Sequence, residues 1–406
     1  MGEQRRAASE VAILDTARAR VAAVGPDGVS LRDVAGGAGC SHTLVGRYFG
    51  SKDELVAAVG QAWATEVASA VDEVLASSAD PLLDLLALAG DDRQCVQLLV
   101  RAGLGDMEPP DFPDALRVDH LGSAVRSVSG GDGGRGGRRS RLCAYAAASL
   151  LLGWITFRDF VVSATRLAPV GAPRQDRAIA DGARRLLALA DAAVPALHPR
   201  PPEPEVANQR PSPEPSSAKD ALLAASIELF AERGPASVSV RDVARRAGVN
   251  QGLIYRHFGS KAALLAEAID QGSAILVPAA WASPTFDFDA MSHLMHHESP
   301  APRLIARALV DDLEISQVRD RFPVLRGLLG TFDDVPTGPG PGDLTDPRVA
   351  VAVAATMALG SVIWGPHLRG ALGLSDDDGI ESAMADLART ITTWPRGPLP
   401  APEVER

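Results

Sequence analysis

The chain carries one pattern twice. Residues 25–57 read GPDGVSLRDVAGGAGCSHTLVGRYFGSKDELVA, and residues 234–266 read GPASVSVRDVARRAGVNQGLIYRHFGSKAALLA. They align without a gap, Val34 over Val243 and Lys52 over Lys261, and about half of the aligned positions are identical. A repeat this long fixes the organisation of the 406 residues, because both copies must fold alike. Each opens a half of similar size. Between the halves, residues 195–217 read PALHPRPPEPEVANQRPSPEPSS, a Pro-rich stretch without apolar period and hence a semi-extended linker. At roughly 3 Å per residue it would reach on the order of 65 Å when extended.

The halves read as helix. Sustained alternation of β-branched and polar residues is missing, which argues against a sheet and predicts an all-α fold. Leu223, Ile227 and Phe230 share one helical face, and Ser51 with Glu54 and Ser239 with Asp242 have capping-box spacing. Weaker echoes recur in the same order beyond the copies: Phe112-Pro113 with Phe322-Pro323, and Leu152-Gly153 with Leu359-Gly360. The expected layout is a head at 1–57, a helical body at 58–194, the linker at 195–217, a second head at 218–266 and a second body at 267–396.

In the second copy, a helix over 240–247 turns Val243 and Ala247 inward, and Ala244 is small enough for a close crossing. Gly248 ends that helix where a left-handed backbone is wanted, and Val249 plugs the core. Asn250 is placed to cap a short helix, 251–258, with Leu253, Ile254 and Phe258 on its inner face. Gln251, Gly252, Tyr255, Arg256 and His257 then face outward, as a recognition helix requires. A glutamine there suits an adenine edge, while Tyr, His and Lys suit phosphates. Capping is the preferred role for Asn250 and base contact for Gln251.

This run resembles the N-terminal domain of TetR-family transcriptional regulators, whose signature stands here as Leu253-Ile254-Tyr255-Arg256-His257-Phe258-Gly259-Ser260-Lys261. The resemblance covers about fifty residues in each half. It implies phosphate contacts at Tyr255, His257 and Lys261. It also implies an all-helical unit about half as long as this chain, with a three-helix head and a ligand-receiving, dimerising body. The dimerising helices would fall at 140–166 with 176–194 and at 347–370 with 377–394, paired as a four-helix bundle. The first copy departs from the pattern: Gly46 replaces Tyr255, Gly36-Gly37 replace Arg245-Arg246, and Cys40 replaces Val249. The DNA-contacting set is therefore Arg241, Asn250, Gln251, Gly252, Tyr255, Arg256, His257 and Lys261 in the second head. In the first it is Arg32, Ser41, His42, Thr43, Arg47, Tyr48 and Lys52.

A net charge of −11 argues against a general nucleic-acid coat, so local charge matters more. Between 241 and 261 the second copy sets five basic residues against Asp242 alone, while the first is balanced. Three cysteines without metal spacing, the lack of a signal peptide and the lack of an apolar run long enough for a membrane span predict a cytoplasmic protein. His293 and His297 stand four residues apart, but no second cluster completes a ligand set, so neither metal nor cofactor is expected. Trp154, Phe157 and Phe160 on one long helix, with Arg158, Trp364 and His367, are the residues we name for an effector pocket, although packing of these aromatics is the safer reading.

Together these features predict a sequence-specific, DNA-binding transcriptional regulator, a repressor released by a small-molecule effector. Its halves would pair intramolecularly as a single-chain pseudo-dimer on a double-stranded, non-palindromic operator, and no membrane is involved. Two rivals remain: an interaction protein with degenerate heads, and a helical enzyme. The enzyme is disfavoured because no nucleophile–base or paired-carboxylate constellation stands out.

Overall fold

A computed structural model describes residues 2–91, 93–105, 137–167, 169–189, 217–280, 286–311, 323–331, 344–375 and 379–393. Nearly all of the linker and the Phe112-Pro113 echo fall outside them. Among the described residues every regular element is a helix. The chain divides by packing into Met1–Val128 and Ser129–Arg406. This division does not follow the repeat, because the last two helices of the first half pack with the second half.

The first unit holds α1 (Gly2–Gly28), α2 (Leu31–Gly37), α3 (His42–Phe49), α4 (Lys52–Ser77), α5 (Pro81–Asp91) and α6 (Arg93–Gly103). Gly25 breaks α1 near its end with φ 76°, a left-handed conformation that a side chain would strain. Ile13, Val21, Val34, Val45, Leu55, Trp63 and Leu98 form the core under the head. Ser51 and Glu54 close a capping box at the start of α4.

The second unit begins with α7 (Arg138–Ala164) and α8 (Ala172–Ala188). The second head follows as α9 (Ala218–Arg233), α10 (Val240–Arg246), α11 (Gly252–Phe258) and α12 (Lys261–Ala274). Its body comprises α13 (Leu276–Ala280), α14 (Phe288–His297), α15 (Ala301–Val310), α16 (Pro323–Gly330), α17 (Pro347–Leu372) and α18 (Ile380–Thr393). Helix α7 lies along α17, with α8 packed on α7 and α18 on α17. The two long helices cross at the glycines of the Leu-Gly echo. A Cβ on Gly360 would stand 2.0 Å from the Ser149 carbonyl oxygen, and one on Gly153 would stand 2.3 Å from that of Thr356. Only glycine permits backbones so close. Buried polar tips tie the same seam: Trp364 Nε1 donates to Thr156 Oγ1 at 3.1 Å, and the Tyr145 hydroxyl donates to the Ser361 carbonyl at 3.4 Å. Burial pushes the Tyr145 phenol up to about 12, so it stays a donor.

Two expectations need correction. The helices expected at 140–166 and 176–194 run over Arg138–Ala164 and Ala172–Ala188, so both begin earlier than expected. Apolar length was also underestimated: 138–164, 261–280 and 347–370 are each long and apolar enough to cross a membrane by length and composition. Helices run on through the Gly, Ser and Thr residues that seemed to interrupt the runs. In α7 and α17 most of that apolar surface is buried inside the unit, where it forms the seam just described.

Candidate nucleic-acid interface

The second head is built from a capped helix, a tight turn and a short exposed helix. Ser239 and Asp242 close the capping box that starts α10, turning Val243 and Ala244 into the core. Ala247, expected inside, is only half-buried. Gly248 makes the turn at φ 67°. Asn250 Oδ1 accepts the Gly252 backbone N–H at 2.8 Å in a local Asx turn; it does not cap the helix as expected, because Gln251 holds the N-cap position and makes no side-chain cap bond. The helix starts at Gly252, one residue later than expected; Gln251 precedes it with helical backbone and an exposed side chain. Ile254 anchors α11 in the core. Tyr255 is 55% exposed, and Arg241, Arg256 and His257 are exposed with it. Lys261, half-buried, opens α12. Burial pushes its amine pKa down, against the pull of Asp311 and Asp242.

The basic excess of this head is smaller than its sequence suggests. Arg245 pairs with Asp242 on its own helix. Arg246 reaches back to α9, meeting Glu228 at 3.2 Å and Glu232 at 3.6 Å. Both arginines thus face acids as well as solvent, a pairing hidden from sequence because α9 lies far upstream.

In the first head, Ser41 caps α3 by accepting the Leu44 N–H at 3.2 Å. Arg32, His42, Thr43 and Arg47 are exposed, and Lys52 is half-buried. Tyr48 differs from its counterpart His257: it packs half-buried against the head core, with the Arg6 guanidinium 5.7 Å from its ring centre. Gly46, where the second head has Tyr255, has nothing within 4 Å of a Cβ built on it. The scaffold therefore has room for the missing side chain.

Comparison with known proteins agrees with this geometry. The family model "Bacterial regulatory proteins, tetR family" matches residues 13–59 and again 222–268. HTH-type transcriptional repressor Rv3405c of Mycobacterium tuberculosis and HTH-type transcriptional regulator Mb3439c of Mycobacterium bovis are each 36% identical over 175 residues, covering 41% of this chain and 82% of the relative. HTH-type transcriptional repressor KstR2 of Mycolicibacterium smegmatis is 39% identical over 56 residues, 14% of this chain and 27% of the relative. The chain belongs to the tetR family. It is a DNA-binding transcriptional regulator with two tandem tetR-type units, and its relatives point to a regulator rather than an enzyme.

This tetR-family chain also contains a joint between body and head that the sequence reading missed. Arg101 in α6 is 3% exposed and donates from Nε to the Ala22 carbonyl at 3.1 Å and from Nη2 to that of Ala23 at 3.3 Å. Arg307 in α15 is 4% exposed and donates likewise to Ala231 at 2.8 Å and Glu232 at 2.7 Å. Ala22 and Ala231 occupy the same place in the repeat, as do Ala23 and Glu232. In each half a body arginine therefore satisfies the last carbonyls of the first head helix, which that helix cannot bond itself. In the second unit, Asp311 adds a bond from the Ala236 N–H at 2.6 Å. The signal was present as Leu98-Leu-Val-Arg-Ala against Leu304-Ile-Ala-Arg-Ala, short and three residues out of the heads' register.

The second unit also encloses a cavity of about 760 Å³, counting its open mouth. Phe160 comes from the first half's α7; Phe286, Met291, Met295, Ile305 and Leu328 are among its walls from the second body. Its lining is almost entirely apolar, and the Ser273 hydroxyl is already bonded to the Ile269 carbonyl at 2.7 Å. Of the residues named for an effector, Phe160 alone lines it. Trp154, Phe157 and Trp364 are instead buried in packing, with Trp154 Nε1 donating to Asp176 at 2.8 Å. Arg158 pairs with Asp176 at 3.2 Å and lies over the Trp154 ring, and His367 packs edge-on to Trp364.

Proposed function

We propose that the chain is a ligand-responsive cytoplasmic repressor acting as a single-chain pseudo-dimer on a non-palindromic operator. One observation carries the reading: the last two helices of the first half pack with those of the second through the Gly153–Gly360 crossing. A tetR-type unit that satisfies its pairing face within its own chain has no need of a second chain. Tethering raises the effective concentration of the partner half to about the millimolar range. Two heads then address successive major grooves, about 34 Å apart on B-form DNA. Tyr255, His257 and Lys261 take phosphates, Gln251 reads a base edge, and His42 with Thr43 reads the other half-site. The effector enters the apolar cavity, so it is an uncharged, largely hydrocarbon molecule. It acts by preferring a body arrangement that misplaces the heads, and the affinity lost for DNA equals its differential binding energy.

Selection from a random duplex pool, with light scattering of the selected complex, tests this. The expected result is one chain per site and two unlike half-sites. A symmetric complex of two chains, with paired second heads on a palindrome, would overturn it.

A further inference from the structure

The sequence offers two histidines at helical spacing and no partner for them; the fold supplies one. Helices α14 and α18 run antiparallel, tied at one end by Arg389 to Asp289 at 2.7 Å. At the other end the first turn of α18 brings Glu381 against the exposed face of α14. Glu381 Oε2 lies 3.5 Å from His293 Nδ1, and Oε1 lies 2.5 Å from His297 Nε2. The donor atoms of all three residues fall within 4.8 Å of one another. The two imidazoles are tilted by 40° with centroids 4.8 Å apart.

We propose that His293, His297 and Glu381 form a binding site for a zinc-class divalent transition-metal ion. Two imidazoles and one carboxylate are a borderline donor set that favours zinc, cobalt, nickel or copper over magnesium or calcium. Metal–ligand bonds of about 2.0–2.2 Å in a tetrahedron put neighbouring donors about 3.3 Å apart. Glu381 approaches the two histidines through different oxygens, at 3.5 Å and 2.5 Å, and no donor separation exceeds 4.8 Å, so a turn of the carboxylate and a closure of at most about 1.5 Å complete the set. The site is half-exposed, so water supplies the fourth position and ions have an open route in. The backbone carbonyl of Glu381 accepts from Ser292 Oγ at 3.2 Å, which ties the first turn of α18 to α14.

The rival reading is an ion pair between Glu381 and protonated histidine. The two readings differ in their response to metal, because only a metal site gains stability from added zinc. The consequence of a bound ion is mechanical. It clamps α14, whose opposite face supplies Met291 and Met295 to the apolar cavity, to α18, which supplies Ala388. The site stands independently of how the heads read DNA.

The test uses the full chain, chelator-treated and kept reduced, at pH 7.5. Zinc chloride is titrated by calorimetry and cobalt by visible absorption, for the parent and for His293→Ala, His297→Asn, Glu381→Gln and the control Glu298→Gln. The expected result is one equivalent whose affinity falls in the first three variants by more than the roughly tenfold typical of outer-shell changes. The control should keep it, and zinc should raise the thermal midpoint of the parent and the control alone. An intact circular dichroism spectrum for Glu381→Gln secures the comparison. Equal zinc affinity in parent and ligand variants, or no saturable equivalent in the parent, overturns the proposal.

Discussion

Gly360→Ala and Gly370→Ala make the same chemical change on the same helix and should move stability in opposite directions. Gly370 is exposed, and a Cβ there meets nothing within 4 Å. Replacing a helical glycine by alanine in such a place stabilises by about 1 kcal/mol. Gly360 gains the same propensity, but its Cβ would lie 2.0 Å from the Ser149 carbonyl oxygen, and 3.4 Å is where ordinary contact begins. A carbonyl inside α7 cannot swing aside without breaking its helix, so α7 and α17 must part by about 1 Å. A gap of that size forfeits about a quarter to a half of each dispersion contact across it, and a buried Leu-sized side chain makes about 40–60 contacts of ~0.1–0.2 kcal/mol. Losing that fraction over one or two residues costs about 2–4 kcal/mol, leaving Gly360→Ala about 1–3 kcal/mol less stable than the parent. Urea denaturation followed by circular dichroism reads this as a midpoint lowered for Gly360→Ala and raised for Gly370→Ala. Equal midpoints for the two variants would show that α7 and α17 do not cross at this glycine.

Other substitutions probe the heads, the joint and the buried titratable groups. Tyr255→Phe and Lys261→Ala should each weaken binding to every duplex, and Lys261→Ala should also lower the salt slope by about 0.9; mobility shifts across a salt series measure both. Gly46→Tyr should tighten binding through the first head, because its Cβ position is open and the helix loses a glycine; unchanged affinity would remove that head from DNA contact. Arg307→Met strands two carbonyls at the end of α9 and should destabilise the second head by about 2–4 kcal/mol, visible as faster amide exchange there. Burial lowers the His367 pKa below 6.5, so the folded state binds fewer protons than the unfolded state below that pH. Its contribution is therefore full above pH 6.5 and lost as pH falls through it, and His367→Gln should flatten the pH dependence of the urea midpoint in that window.

The heads were legible because their information is local. Caps at Ser51 and Ser239, the turn at Gly248 and an apolar face through Ile254 are all set within a few residues, so spacing alone placed them. The Leu-Gly echo was legible as a repeat, but its meaning needed the second helix: nothing near Gly360 in sequence says that Ser149 lies opposite. The same limit hid the partners of Arg246 and of the histidines on α14, whose acids lie 14 or more residues away on other helices. Packing, the safer reading of Trp154 and Trp364, is where the structure puts them, whereas the cavity is walled largely by Met, Ile, Leu and Ala, which carry no mark in the sequence.

The asymmetry between the heads is narrower than their sequences suggest, and it lies where reading is done. Arg245 and Arg246 have no counterpart in the first head, yet in the second they are paired with acids, so their loss removes little uncompensated positive charge. Caps, left-handed glycines and the arginine joint occur in both halves. What then differs on the exposed faces is mainly His42 for Gln251, Thr43 for Gly252, Gly46 for Tyr255 and the half-buried Tyr48 for exposed His257. The first pair lies at the start of the recognition helix, where side chains reach base edges; the others bear on the backbone grip. In a symmetric homodimer any such change strikes both heads at once. In this chain one head can change alone on the same joint and the same scaffold, which is what the proposed non-palindromic operator requires.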